Sequence, residues 1–121
     1  ITGKEDLLGH LFIGYVQDMI FSPGLDYLRD VHTGLRASFQ SSSIFAQLTA
    51  TRGGRGLCIL PRYIAERFPE LEMVLPDDVE LRRGYWLTCH QDLADVPRIR
   101  SVMDFILTTS RVNERLFVRA E

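Results

Sequence analysis

The sequence is most informative first for what it has little of. Among 121 residues there are two cysteines, five prolines and one tryptophan, and no apolar run approaches the roughly 18 residues a membrane-crossing helix needs. No basic start followed by an apolar middle and a small-residue cleavage site is present, so nothing points to export. Basic charge is not in excess: 14 Lys and Arg stand against 16 Asp and Glu, a formal net charge of -2. A basic face that gains from counterion release is therefore missing, and the chain by itself is not expected to grip DNA. The pairs Arg82-Arg83 and Arg98/Arg100 read as solvated or ion-paired surface. Cys58 and Cys89 each stand among strand-forming apolar residues and read as buried free thiols, which fits a reducing, cytoplasmic compartment. There are no repeats and no low-complexity segments. The first residue is Ile1 rather than methionine, so the chain is expected to be a piece of a longer protein.

What is present is an alternation of strands and helices. After a polar lead-in, "LFIGY" (11–15) is a continuous apolar run of the kind covered on both faces. In "FSPGLDYLRDV", Ser22 is a candidate helix cap and Pro23 the first helical residue, with Leu25, Leu28 and Val31 on one side and Gly34 at the exit. "LRASF" (35–39) reads as a strand. A helix follows over about 43–52, with Ile44, Phe45 and Leu48 turned inward. "GLCIL" reads as a further buried strand, "PRYIAERFP" as a helix, "LEMVL" (71–75) as a strand, "LRRGYWLTCH" as the longest strand and "QDLADVP" as a turn. From Pro97 onward, Ile99, Val102, Met103, Ile106 and Leu107 recur at i, i+3, i+4, i+7 and i+8, an amphipathic helix whose pattern extends toward Leu116 and Phe117. Apolar strands alternating with helices predict an α/β fold, three-layer α/β/α with a mostly parallel sheet.

The glycine cluster in "RGGRGLCILP" (52–61) invites a phosphate-loop reading, but its polarity is reversed. Such loops run from a strand into a helix N-terminus, where free N–H groups meet the anion. Here Gly53 and Gly54 follow a helix and Gly56 precedes a strand, and no Lys-Ser/Thr follows. A left-handed helix cap and a tight entry into the sheet explain the glycines instead. The loops with the right polarity are "YVQDM" and "FQSSSIF". Val16, Gln17 and Asp18 follow the first strand, and Ser41, Ser42 and Ser43 lie between a strand and a helix. Ligands of open parallel sheets collect at such places. One serine serves as a helix cap; the others, with the helix start, lean toward a carboxylate ligand.

Other motifs fall away. His90 and Asp92 lack a third ligand, so no metal is implied, and Asp92 suits a turn. His10 and His32 read as solvent-facing. No Gly-x-Ser-x-Gly elbow occurs, no nucleophile stands beside a base, and Glu5-Asp6 and Asp77-Asp78 sit in polar turns. Neither an enzyme nor a cofactor is expected.

Four segments together resemble one family. "TRGGRGLCILPRYIAE" resembles the helix–glycine–strand–proline segment of the effector-binding domain of LysR-type transcriptional regulators. "YWLTCHQDLADVPRIRSVMDFI" is similar to its closing strand, turn and helix, with Gln91 where the family often has proline. "LFIGYVQDMIFSPGLDYLRD" and "RASFQSSSIFAQLTA" match its middle strands and helices in type and order. The resemblance implies a fold like the type II periplasmic binding proteins, two lobes with a cleft between them. It also implies that residues 1–121 are a partial effector-binding domain. Residues 8–82 would form the second lobe, and the strand and helix of 83–121 would return to a first lobe absent here, as would the DNA-binding domain. The family's effector contacts fall on Val16, Gln17, Asp18, Ser41, Ser42 and Ser43. The implied partners are a small-molecule effector and further copies of the chain, as a dimer or higher homo-oligomer, with DNA reached only through the absent domain. The five apolar residues of the last helix would then be left wet, at a cost of several kcal/mol at about 25 cal/mol per Å², so self-association is expected. A solute-binding protein of the periplasmic class is the alternative reading, and an enzyme of the same α/β class a third.

Overall fold

The structure, a computed structural model, describes residues 1–117. It divides into two units that meet between Arg83 and Gly84 in the chain.

The first unit is built on three parallel strands. These are β1 (Phe12–Gly14), β2 (Ala37–Gln40) and β3 (Leu57–Cys58), in the order β2-β1-β3. Phe12 pairs with Ala37 and Leu57, and Ile13 with Phe39 and Cys58, with an irregularity in the β1–β2 register between Phe12 and Ile13. Parallel strands need a crossover, and the chain supplies α1 (Tyr27–Val31) and α2 (Ile44–Arg52) for it. β1, the central strand, is buried at all three residues, as its unbroken apolar run requires. Leu7, Phe12, Leu28, Val31, Leu35 and Leu75 form the core around it. The α/β class and the parallel sheet agree with the reading from sequence.

The glycines are architectural. Gly53 closes α2 by donating to the Thr49 carbonyl, and Gly54, at φ +69, donates to that of Thr51. Gly56 has φ +151, and a Cβ there would lie 2.5 Å from the Leu11 carbonyl oxygen. Only glycine lets the chain press this closely to β1, where the Leu57 N–H reaches that same oxygen at 2.8 Å.

Several expectations are corrected. The lead-in is a 3-10 helix, Lys4–Gly9, because the Asp6 carboxylate gathers the N–H groups of Thr2 and Gly3 while Leu7 enters the core. Those bonds, with that of the Thr2 hydroxyl, hold the Asp6 carboxyl below its usual range. The helix expected from Pro23 breaks at Asp26 into a 3-10 turn, Pro23–Leu25, and α1, and Ser22 gives no side-chain cap. His32 is half-buried, taking the Gly34 N–H at Nδ1. On α2, Leu48 is buried but Phe45 is 68% exposed, and Gln47 occupies the inner face. After β3 comes a single turn, α3 (Arg62–Ala65), shorter than expected. Residues 71–75 are not a strand: Leu75, at φ +51, accepts the N–H groups of Asp78 and Val79 and closes a turn. Arg83 ends the unit bound to the Gly24 carbonyl and the Asp30 carboxylate, above the Tyr27 ring.

In the second unit, residues 84–90 form no helix or strand among the described residues, so the longest expected strand does not form. Strand propensity alone makes no ladder. Cys89 lies exposed in this segment, contrary to the buried thiol expected. A 3-10 turn, Gln91–Leu93, leads to α4 (Pro97–Val112), with proline at its first position. α4 stops at Asn113, short of Leu116 and Phe117, which follow in a 3-10 turn and its cap. Ile99 and Met103 are half-buried, whereas Val102 and Phe105 are 57% and 69% exposed. Phe117 instead meets Tyr85 edge-on at 6.4 Å.

Candidate functional site

The carboxyl ends of β1 and β2 carry the two loops of interest. After β1, Val16 is half-buried and caps a 3-10 turn, Gln17–Met19, which presents Gln17 and Asp18 to solvent. After β2, Ser41 is half-buried while Ser42 and Ser43 are exposed. The structure brings the two loops together through backbone and glutamine groups. The Gln17 N–H donates to Oε1 of Gln40 at 3.1 Å, and the Ser41 N–H donates to the Gly14 carbonyl at 3.0 Å. Gln40 returns its own Nε2 to the Ala37 carbonyl, so the end of β2 braces the turn that follows β1.

The three serines divide the work. Ser43 is the helix cap, its hydroxyl accepting the Ala46 N–H at 3.4 Å. Ser41 Oγ accepts the Ser43 N–H at 3.1 Å and shapes the turn. Ser42 Oγ makes no hydrogen bond among the described residues. The N–H groups of Ile44 and Phe45, in the first turn of α2, have no intrahelical acceptor. A hydroxyl, two amides at the positive pole of a helix and, on the neighbouring loop, the Asp18 carboxylate suit a small polar ligand with an anionic end.

Two residues of this arrangement escaped the reading from sequence. Gln40 carries no mark of its role, since nothing local distinguishes a strand-end glutamine as a strut. Gln47 had a signal: it falls on the face of Ile44, Leu48 and Thr51, where an apolar residue is the norm. Its Nε2 donates to the Ser41 carbonyl at 2.6 Å, and its Oε1 receives the Cys58 thiol at 3.6 Å. Burial pushes the Cys58 thiol up to about 11.

Elsewhere the chemistry is structural. His90 takes the Asp92 N–H at Nδ1 and lies 3.5 Å from its carboxylate. Among the described residues no three His, Cys, Asp or Glu side chains gather as a metal site would require. Arg82 pairs with Glu80, and Arg100 with Asp95, as ion-paired surface. No helix among the described residues is long and apolar enough to cross a membrane.

The family profile described as LysR substrate binding domain matches residues 2–111. No curated protein and no solved structure matches the chain. The profile spans both units and includes both loops at the sheet's carboxyl edge. Its fold is that of the periplasmic binding proteins, and its role is to bind the effector of a LysR-type regulator. The chain belongs to the LysR substrate-binding domain family.

Proposed function

We propose that this chain is the ligand-sensing portion of a cytoplasmic LysR-type transcriptional regulator, and that it holds a small carboxylate on the loops of residues 16–18 and 41–43. The observation that carries this reading is the bracing of the turn after β1 on the end of β2, Gln17 on Gln40, which sets the two strand-to-helix connections side by side at the carboxyl edge of a parallel sheet. Ser42 Oγ and the first amides of α2 would bind the carboxylate, and Asp18 a donor group of the same ligand. Residues 8–82 are the second lobe in this reading, and 83–121 belong with a first lobe supplied outside this sequence. The division of the chain after Arg83 supports that assignment. Closure of the two lobes on the effector would change the geometry of a homo-oligomer that meets DNA through a separate domain.

A titration of the isotope-labelled chain with a panel of small mono- and dicarboxylates tests the site. Amide shifts concentrated at 16–18 and 41–45 are expected. Shifts confined to other parts of the chain would sink the assignment.

A further inference from the structure

Gln47 is only 5% exposed, a neutral amide on the buried face of α2 beside Leu48. Its place on α2 would suit a leucine, and a buried amide carries a desolvation cost unless both its ends find partners. One end is well served: Nε2 donates to the Ser41 carbonyl at 2.6 Å. The other is served poorly, because among the described residues Oε1 receives only the weakly donating Cys58 thiol at 3.6 Å. Packing alone does not account for a glutamine satisfied so unequally.

What the strong bond holds is the serine turn. With its carbonyl on Gln47 and its N–H on the Gly14 carbonyl, Ser41 is fixed on both sides. Its hydroxyl in turn takes the Ser43 N–H, which sets the start of α2. Gln47 also lines, with Gly14 and Gln17, a cavity of about 20 Å³ in the first unit, so besides its bond to Ser41 it faces the space beside the loop after β1.

We propose that Gln47 is a positioning residue for the effector site: without touching the ligand, it holds Ser41 so that Ser42 and the first amides of α2 are presented in one geometry. The inference rests on the reading that these loops bind the effector. Acetate serves as the probe, followed by amide NMR in the wild-type chain and in Gln47→Met, Gln47→Asn and Cys58→Ala. Methionine removes the donor at similar length, and asparagine withdraws it by one methylene. Both variants should keep the Phe12 and Ile13 amide signals of the folded sheet, shift the amides of 41–44, and weaken acetate by ~3- to 10-fold, the worth of one lost hydrogen bond. Cys58→Ala leaves the bond to Ser41 in place and should bind acetate like the wild type.

Folded Gln47 variants that bind acetate unchanged would overturn the inference. So would Cys58→Ala weakening acetate as much as Gln47→Met, which would make the effect one of packing. If both Gln47 variants lose the sheet signals, Gln47 is a core residue and the inference fails. Acetate shifts in the wild type that lie away from both loops defeat the effector reading itself, whatever the variants do.

Discussion

Single residues in this protein act through what their burial permits. Cys58 and Cys89 look alike in sequence, each amid apolar neighbours, yet one is half-buried within β3 and the other is exposed. Desolvation disfavours the Cys58 thiolate and raises its folded value to about 11, against 9.0 for the free group. A thiol reagent at pH 8 should therefore label Cys89 quickly and Cys58 more slowly; equal rates would contradict the difference in burial. The same shift has a sign in stability. Below pH 9 both folded and unfolded chains keep the thiol protonated, and nothing is lost. As pH climbs from 9 toward 11 only the unfolded chain ionises, so stability should fall by up to about 1.4 kcal/mol per pH unit. Denaturant titrations of wild type and Cys58→Ala across that range would reveal the difference.

At the scale of elements, the same residue type means opposite things in β1 and α4. Phe12 lies in the central strand, 4% exposed, within the core cluster. Phe105 lies on a longer and more regular element but faces outward. Phe12→Ala should cost about 3–5 kcal/mol in urea unfolding, whereas Phe105→Ala in the dilute chain should stay within about 0.5 kcal/mol. Equal losses would mean that α4 is covered in solution. Helix α2 shows why burial by period needs care. The apolar Phe45 faces water while Gln47 is buried, because a glutamine can be buried to bond a loop.

Across the whole molecule, the first unit has its own core and sheet, while the second joins a segment without regular structure to an amphipathic helix with no buried residue. Tyr85, Trp86, Val102, Phe105 and Val112 all remain largely exposed. Scattered exposed apolar side chains are normal, but this many on one short unit favour association. In the proposed homo-oligomer a second copy covers them. Sedimentation velocity should then give a concentration-dependent mass above that of one chain, and Val102→Lys with Phe105→Lys should lower it. A single-chain mass at high concentration would speak against the oligomer.

The sequence by itself determined the class of fold, the order of most elements in the first unit and the meaning of the glycines. These are local matters: an apolar run such as 11–15, a cap such as Ser43 and a left-handed turn such as Gly54 depend on neighbours a few residues away. It also marked both strand-to-helix loops, because their polarity follows from element order alone. Only the tertiary structure decided whether strand-like segments became strands. "LRRGYWLTCH" and "LEMVL" have the composition, but a strand exists only when another chain segment lies beside it to take its hydrogen bonds. Tertiary packing likewise enlisted Gln40 and Gln47, whose partners stand 23 residues back in the chain at Gln17 and across α2 at Ser41 and Cys58. A hydrogen bond to a residue 23 positions away leaves no period in a sequence, which is why the Gln40 strut became visible only once the chain was folded, while Gln47 showed in the sequence only as a polar residue on an apolar face.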